Sequence, residues 1–223
     1  MAENREQEAL GAYLKLLRNK GASEASLEQR KEFLLELIPR IADLPNDGFL
    51  YRDAVEDYLE SVDKAKWAFC LMIARKYFPF WIKDIKAIAA LNADAAFDVD
   101  SAQWQPLDHN LKVLWEMLDK EKFDVSETWP IKSYTLALRQ DGAAQTLVDT
   151  RVKLVKLLLI RLRDAPEKNH KVYRIAVDSS ASLFAVKETR YLFFLVVRDF
   201  YYFWIGDPKA AEYMTGDTTD DFI

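Results

Sequence analysis

An all-α protein of two helical subdomains is the fold the sequence predicts, and three observations predict it. Apolar residues recur at three- and four-residue steps along most of the chain, which is helical spacing. Prolines and short polar residues fall where those periodic stretches end. Half of the 223 residues are apolar and 13% are aromatic, enough to fill a sizeable core, with only six glycines to interrupt it. The length suits one large domain or two small ones.

Leu10, Tyr13, Leu14 and Leu17 predict a first helix, stopped by Gly21. Ser23 or Ser26 caps the next, because a short hydroxyl satisfies a free backbone N–H. Phe33, Leu34, Leu37, Ile38 and Ile41 continue that helix, and Pro39 ends or kinks it. Leu44-Pro-Asn-Asp-Gly48 reads as a turn. Helices follow over about 50–60 and 63–78. The second carries a stripe of Trp67, Cys70, Leu71, Ala74 and Phe78 and is broken by Pro79. Trp81, Ile82, Ile85, Ile88 and Ala89 make a further helix. Residues 1–92 are expected to form the first subdomain, a four-helix module.

Residues 93–107 keep no period and read as a linker. The second subdomain, 108–206, starts with a helix near 108–121. A loop is expected over 122–130, ending at Pro130, then helices over about 131–140 and 144–164. Segment 169–178 fits either a helix or a strand. A helix over about 184–205 is apolar on most sides and belongs at the centre of its subdomain. Gly206-Asp-Pro208 ends it. Residues 207–223 are expected to be an acidic tail, frayed from Gly216 on. No internal repeat and no low-complexity tract is expected.

Several chemistries are disfavoured. A lone Cys70 excludes a disulfide within the chain, and its apolar stripe gives it a core role. His109 and His170 lie too far apart for a metal site. Glu167-Lys-Asn-His170 is half of a di-iron motif with no second half. Asp94, Asp98, Asp100 and Asp108 match no calcium loop. Ser179, Ser180 and Ser182 lack a nucleophile elbow, and no two glycines are spaced for a phosphate loop. No metal, no cofactor and no enzymatic activity is expected. The longest apolar run, residues 191–205, is interrupted by Arg198 and Asp199 and falls short of the ~20 residues a membrane span needs. The polar start Met1-Ala-Glu-Asn lacks the features of an export signal, so a cytoplasmic protein with no membrane contact is expected.

Charge is uneven. The net charge is −5, yet residues 151–174 hold eight Lys/Arg against two Asp/Glu. Local charge decides whether an anionic partner is attracted. On a wheel for 144–164, Lys153, Lys156 and Arg163 share one arc, while Val152, Val155, Leu158, Leu159 and Leu162 lie opposite. Lys168, Lys171 and Arg174 extend the charge, and Lys64, Arg75 and Lys76 share a second arc in the first half. These nine residues are the candidate contacts for an anionic partner, either nucleic acid or an acidic protein.

The stretch from Tyr13 to Leu37, with Gly21-Ala-Ser23-Glu-Ala-Ser26 between two helices, resembles the N-terminal core-binding domain of tyrosine recombinases (phage integrases). The likeness runs over about residues 8–85 and takes in the helix ending Tyr77-Phe-Pro-Phe-Trp81. It implies a SAM-like four-helix module that clamps duplex DNA, with Arg30, Lys31, Lys64, Arg75 and Lys76 as the equivalent basic residues. It also implies a DNA-associated or mobile-element context. Such recombinases carry a His-x-x-Arg pair in a following catalytic domain; His109 and His170 have no Arg three residues on, so recombination is not expected. The function expected is a non-catalytic helical binding module. A protein-interaction or regulatory module without nucleic-acid contact is the alternative.

Overall fold

The computed structural model describes residues 5–94, 104, 106, 109–118 and 120–214. Among them there are ten α-helices and no strand. The helices fall into two compact units, and the division lies within residues 93–107. The expected linker is mostly outside the described residues, as is the tail beyond Met214.

The first unit holds α1 (Arg5–Asn19), α2 (Glu24–Ile41), α3 (Gly48–Leu59), a 3-10 turn (Lys64–Lys66), α4 (Trp67–Trp81) and α5 (Ile85–Ala93). α1 packs on α2 and α4, α3 on α2 and α4, and α5 on α4. Ser23 caps α2 by accepting from the Ser26 N–H, and Asp47 caps α3 through the N–H groups of Phe49 and Leu50. Tyr13, Leu34, Leu37, Tyr51, Ile73, Tyr77 and Trp81 fill the core. Cys70 is buried among them, as its stripe predicts.

The second unit holds α6 (Leu111–Leu118), α7 (Val125–Gln140), α8 (Gln145–Leu162), α9 (His170–Ala181), α10 (Lys187–Ile205) and a 3-10 turn (Ala210–Met214). α10 is central, as expected, packing on α7, α8, α9 and the 3-10 turn. Among the described residues no helix is long and apolar enough to cross a membrane.

The absence of an internal repeat is overturned. The two units share one plan, with α1–α4 matched by α7–α10. α1 ends at Gly21 (φ 85°) and α7 at Gly142 (φ 80°), each in the left-handed conformation that glycine adopts without steric cost. The Ala22 N–H then bonds to Leu17 O, and Ala143 N–H to Leu138 O, both at 3.0 Å. α4 and α10 also end on left-handed residues, Lys83 and Gly206. The N–H groups of Asp84 and Asp207 reach back to Pro79 O and Tyr202 O, each over 2.9 Å. In the cores, Tyr51 donates to Ala74 O (2.9 Å) and Tyr173 to Val197 O (2.6 Å). Tyr13 stands edge-on to Tyr77 and Phe80, and Tyr134 to Phe200 and Phe203. The sequence signal is Phe80-Trp-Ile-Lys-Asp84-Ile-Lys-Ala87 against Phe203-Trp-Ile-Gly-Asp207-Pro-Lys-Ala210.

Two element boundaries also differ from expectation, and the open segment near 169–178 is decided. α7 starts at Val125 and contains Pro130, so 122–130 is not a loop up to the proline. The cause is a capping box: Asp124 accepts from the Glu127 N–H, and Glu127 from the Asp124 N–H. Pro79 lies inside the last turn of α4 instead of ending it, and Trp81 belongs to α4. Residues 170–181 are helical because Asn169 caps them, accepting from the Val172 N–H over 2.9 Å. Residues 210–214, ahead of the segment expected to fray, form the 3-10 turn against α10. Asn169→Ala should cost about 1 kcal/mol, as loss of a cap does; an unchanged denaturation midpoint would show that α9 is held by packing alone.

Candidate anion-binding surface

α8 carries the candidate surface. Leu154, Val155 and residues 157–160 turn into the core, which leaves Lys153 exposed and Lys156 half-exposed on the other side. That side is not bare. α6 lies on α8 with Leu114 and Leu118 buried, and the chain then runs through Phe123 into α7. The Lys153 ammonium sits 5.2 Å over the Trp115 ring. Lys156 and Arg163 share the Phe123 ring, at 5.6 and 5.1 Å. A cation over a ring face is attracted by its quadrupole, so Trp115 of α6 and Phe123 of the α6–α7 connection hold the three charges in place.

Arg163 is not available to a partner. Its Nε and Nη2 meet both oxygens of Glu127, at 2.7 and 3.1 Å, and its Nη1 meets Glu121. Hydrogen bonding to Glu127, with Glu121 in support, raises its pKa and keeps it charged. The expected outward grip of Lys153, Lys156 and Arg163 is corrected to two lysines. Neither Lys153 nor Lys156 has a carboxylate partner among the described residues.

The rest of the expected patch is dispersed. Lys168 lies 5.2 Å over Trp204, a different ring, and burial lowers its pKa. Lys171 and Arg174 are exposed on α9 but have interactions of their own. In the first unit, Lys64 is exposed and lies 5.9 Å over Trp67, while Arg75 and Lys76 are half-buried on α4 and already engaged.

Arg30 is a second correction. The recombinase likeness makes it a DNA contact, but it is 2% exposed. It bonds to Ser26 and lies over Phe69, because its position on α2 aligns with Phe33, Leu34 and Leu37. Its counterpart in the second unit is Arg151, 3.5 Å from the Tyr134 hydroxyl. Burial pushes Tyr134 up to about 12. Lys31 stays near the surface and pairs with Glu28 at 3.4 Å.

The other candidate chemistry is accounted for locally. Burial pushes the Cys70 thiol up to about 11, the opposite of an activated nucleophile. The hydroxyls of Ser179, Ser180 and Ser182 donate to backbone carbonyls within four residues. Glu167 accepts from Asn169, the α9 cap. No group of three His, Cys, Asp or Glu side chains able to hold a metal occurs among the described residues. Asp98, Asp100 and Asp108 lie outside them.

Two features were not foreseen. One is a charge cluster in which half-buried Arg151 and Arg198 close on the buried Asp199. The other is an exposed apolar row on α7 that begins at Val125, inside the segment expected to be a loop. The Asp124-x-x-Glu127 capping box was the signal that could have revealed it.

Fold and surface together define a class: an all-helical protein of two units on one plan, with cations braced on aromatic rings. No family model, curated protein or solved structure matches the chain.

Proposed function

We propose that the chain is a non-catalytic helical binding module that receives an acidic protein surface at Lys153 and Lys156. The observation that carries this is the pair of ring-braced ammonium groups with no carboxylate partner among the described residues. Long lysine side chains lose rotamer freedom on binding. Bracing reduces that loss in advance, as preorganisation does.

An acidic protein fits better than a phosphate backbone. A nucleic-acid site neutralises on the order of 6–10 phosphates, whereas Arg163 is paired and Arg30 is internal. The second reading, a DNA-associated or mobile-element module, rests on the recombinase likeness and on Lys168, Lys171, Arg174, Lys64, Arg75 and Lys76.

Affinity capture from native lysate, with and without nuclease, separates the two. The expected result is a bound protein that survives nuclease and is lost with Lys153→Glu plus Lys156→Glu. Removing two braced charges should weaken that partner by about tenfold or more, about 1.4 kcal/mol, with the melting temperature unchanged. Capture abolished by nuclease supports the DNA reading instead, and capture insensitive to the double variant removes this surface from consideration.

A further inference from the structure

We infer that the outer face of α7 is a second docking surface, shaped for an acidic amphipathic helix of a partner protein. Val125, Trp129 and Leu136 recur at steps of four and seven, so they form one row along the helix. They are 83%, 63% and 57% exposed. Lys132 and Arg139 flank the row on the same side, both exposed, and no carboxylate shares that arc. Among the described residues, the contact of Arg139 is with the neutral side chain of Gln145, at 3.4 Å. Exposed rows of large apolar residues rimmed by polar groups mark interaction sites.

The first unit provides an internal control. By the correspondence of Tyr13 with Tyr134 and Gly21 with Gly142, Trp129 matches Glu8, and Leu136 matches Lys15. Glu8 and Lys15 are exposed on α1 in the same fold, and Glu8 pairs with Lys83 at 2.9 Å. The architecture therefore does not need an aromatic or a leucine at these positions. Their presence on α7 is a property of the second unit's surface and not of its core.

Charge selects the occupant. An apolar row edged by two cations matches a helix that sets apolar residues at i, i+3/i+4 and i+7 and carboxylates beside them. A second copy of the chain fits less well. Lys132 stands near the middle of the row, and a two-fold pairing of α7 with itself would set it against its own copy. The surface is separate from the α8 lysines, so this inference stands or falls independently of them.

The test is a displayed library of 16-residue amphipathic helices, with flanking positions varied over Glu, Gln and Lys, selected against the full chain. Glu should be enriched at the flanks. Selected peptides should lose at least tenfold in affinity for Trp129→Glu plus Leu136→Lys, which installs the residues of the first unit. They should keep their affinity for Lys153→Glu plus Lys156→Glu. Lys132→Glu plus Arg139→Glu should reverse the selection toward Lys, a readout that simple misfolding cannot produce. Peptides without Glu enrichment, or binding that is unchanged in the α7 variants, would overturn the inference. So would a concentration-dependent dimer lost in those variants, which would give the face to a second copy.

Discussion

Asp199→Ala should lower the stability of the second unit by about 3 kcal/mol, measured by denaturant unfolding. Asp199 is 4% exposed on α10, and its carboxylate accepts from Arg151 at 3.2 Å and from Arg198 at 3.1 Å. Breaking a buried ion pair costs about 3–5 kcal/mol, because the surviving charge is left without a partner. The low end applies here, since both arginine side chains keep some contact with water. Replacing the whole cluster with apolar groups, Arg151→Met and Arg198→Met with Asp199→Leu, should restore most of the loss. A loss below about 1 kcal/mol for Asp199→Ala, the range of surface sites, would mean that solvent already carries the guanidinium charges.

The pH dependence has a definite sign. Burial is the largest influence on Asp199 and raises its pKa, outweighing the two guanidinium groups that lower it. The folded chain therefore binds this proton more tightly than the unfolded chain. Between the ordinary carboxylate range and the raised value, stability falls as pH rises. Asp199→Asn should flatten that part of the stability profile, and an unaltered slope would assign it to other groups.

Trp67→Ala should cost about 3–5 kcal/mol in the first unit. The indole is 2% exposed at the start of α4, and its Nε1–H donates to Val62 O over 3.0 Å. The substitution leaves a large cavity and an unpaired carbonyl. The equivalent position in the second unit is Arg190, 1% exposed, which donates to Ala185 O, the counterpart of Val62 O. One fold solves the same problem with an aromatic donor in one unit and a charged donor in the other. A cost below about 1 kcal/mol would place Trp67 at the surface and shift the phase of α4.

Arg190 shows why the repeat is hard to read in sequence. Trp67 answers to Arg190, Cys70 to Phe193 and Leu34 to Val155. Cores tolerate such exchanges when volume is redistributed among neighbours, so shared packing outlasts shared identity. What persists is the geometry that few residues can supply: a left-handed helix end, a tyrosine donating to a carbonyl, and a buried Phe-Trp pair. The expected Arg163 and Arg30 contacts failed for a related reason. A helical wheel shows which arc a cation occupies but not what lies over it. Glu121 and Glu127 reach Arg163 across some forty residues of chain, and Ser26 with Phe69 closes over Arg30.

The sequence by itself determined the helical class, most helix positions, the core role of Cys70 and Trp67, and the accumulation of positive charge on α8. These follow from periodicity, caps and composition, which are local along the chain. Tertiary structure alone decided that Arg163 and Arg30 are spent internally and that Lys153 and Lys156 rest on Trp115 and Phe123, and it extended the Phe-Trp-Ile likeness of two short segments into one plan for both units. It also decided that Trp129 and Leu136 face outward. Each of those depends on which distant segments meet, and burial and pairing are properties of that meeting rather than of any stretch of chain.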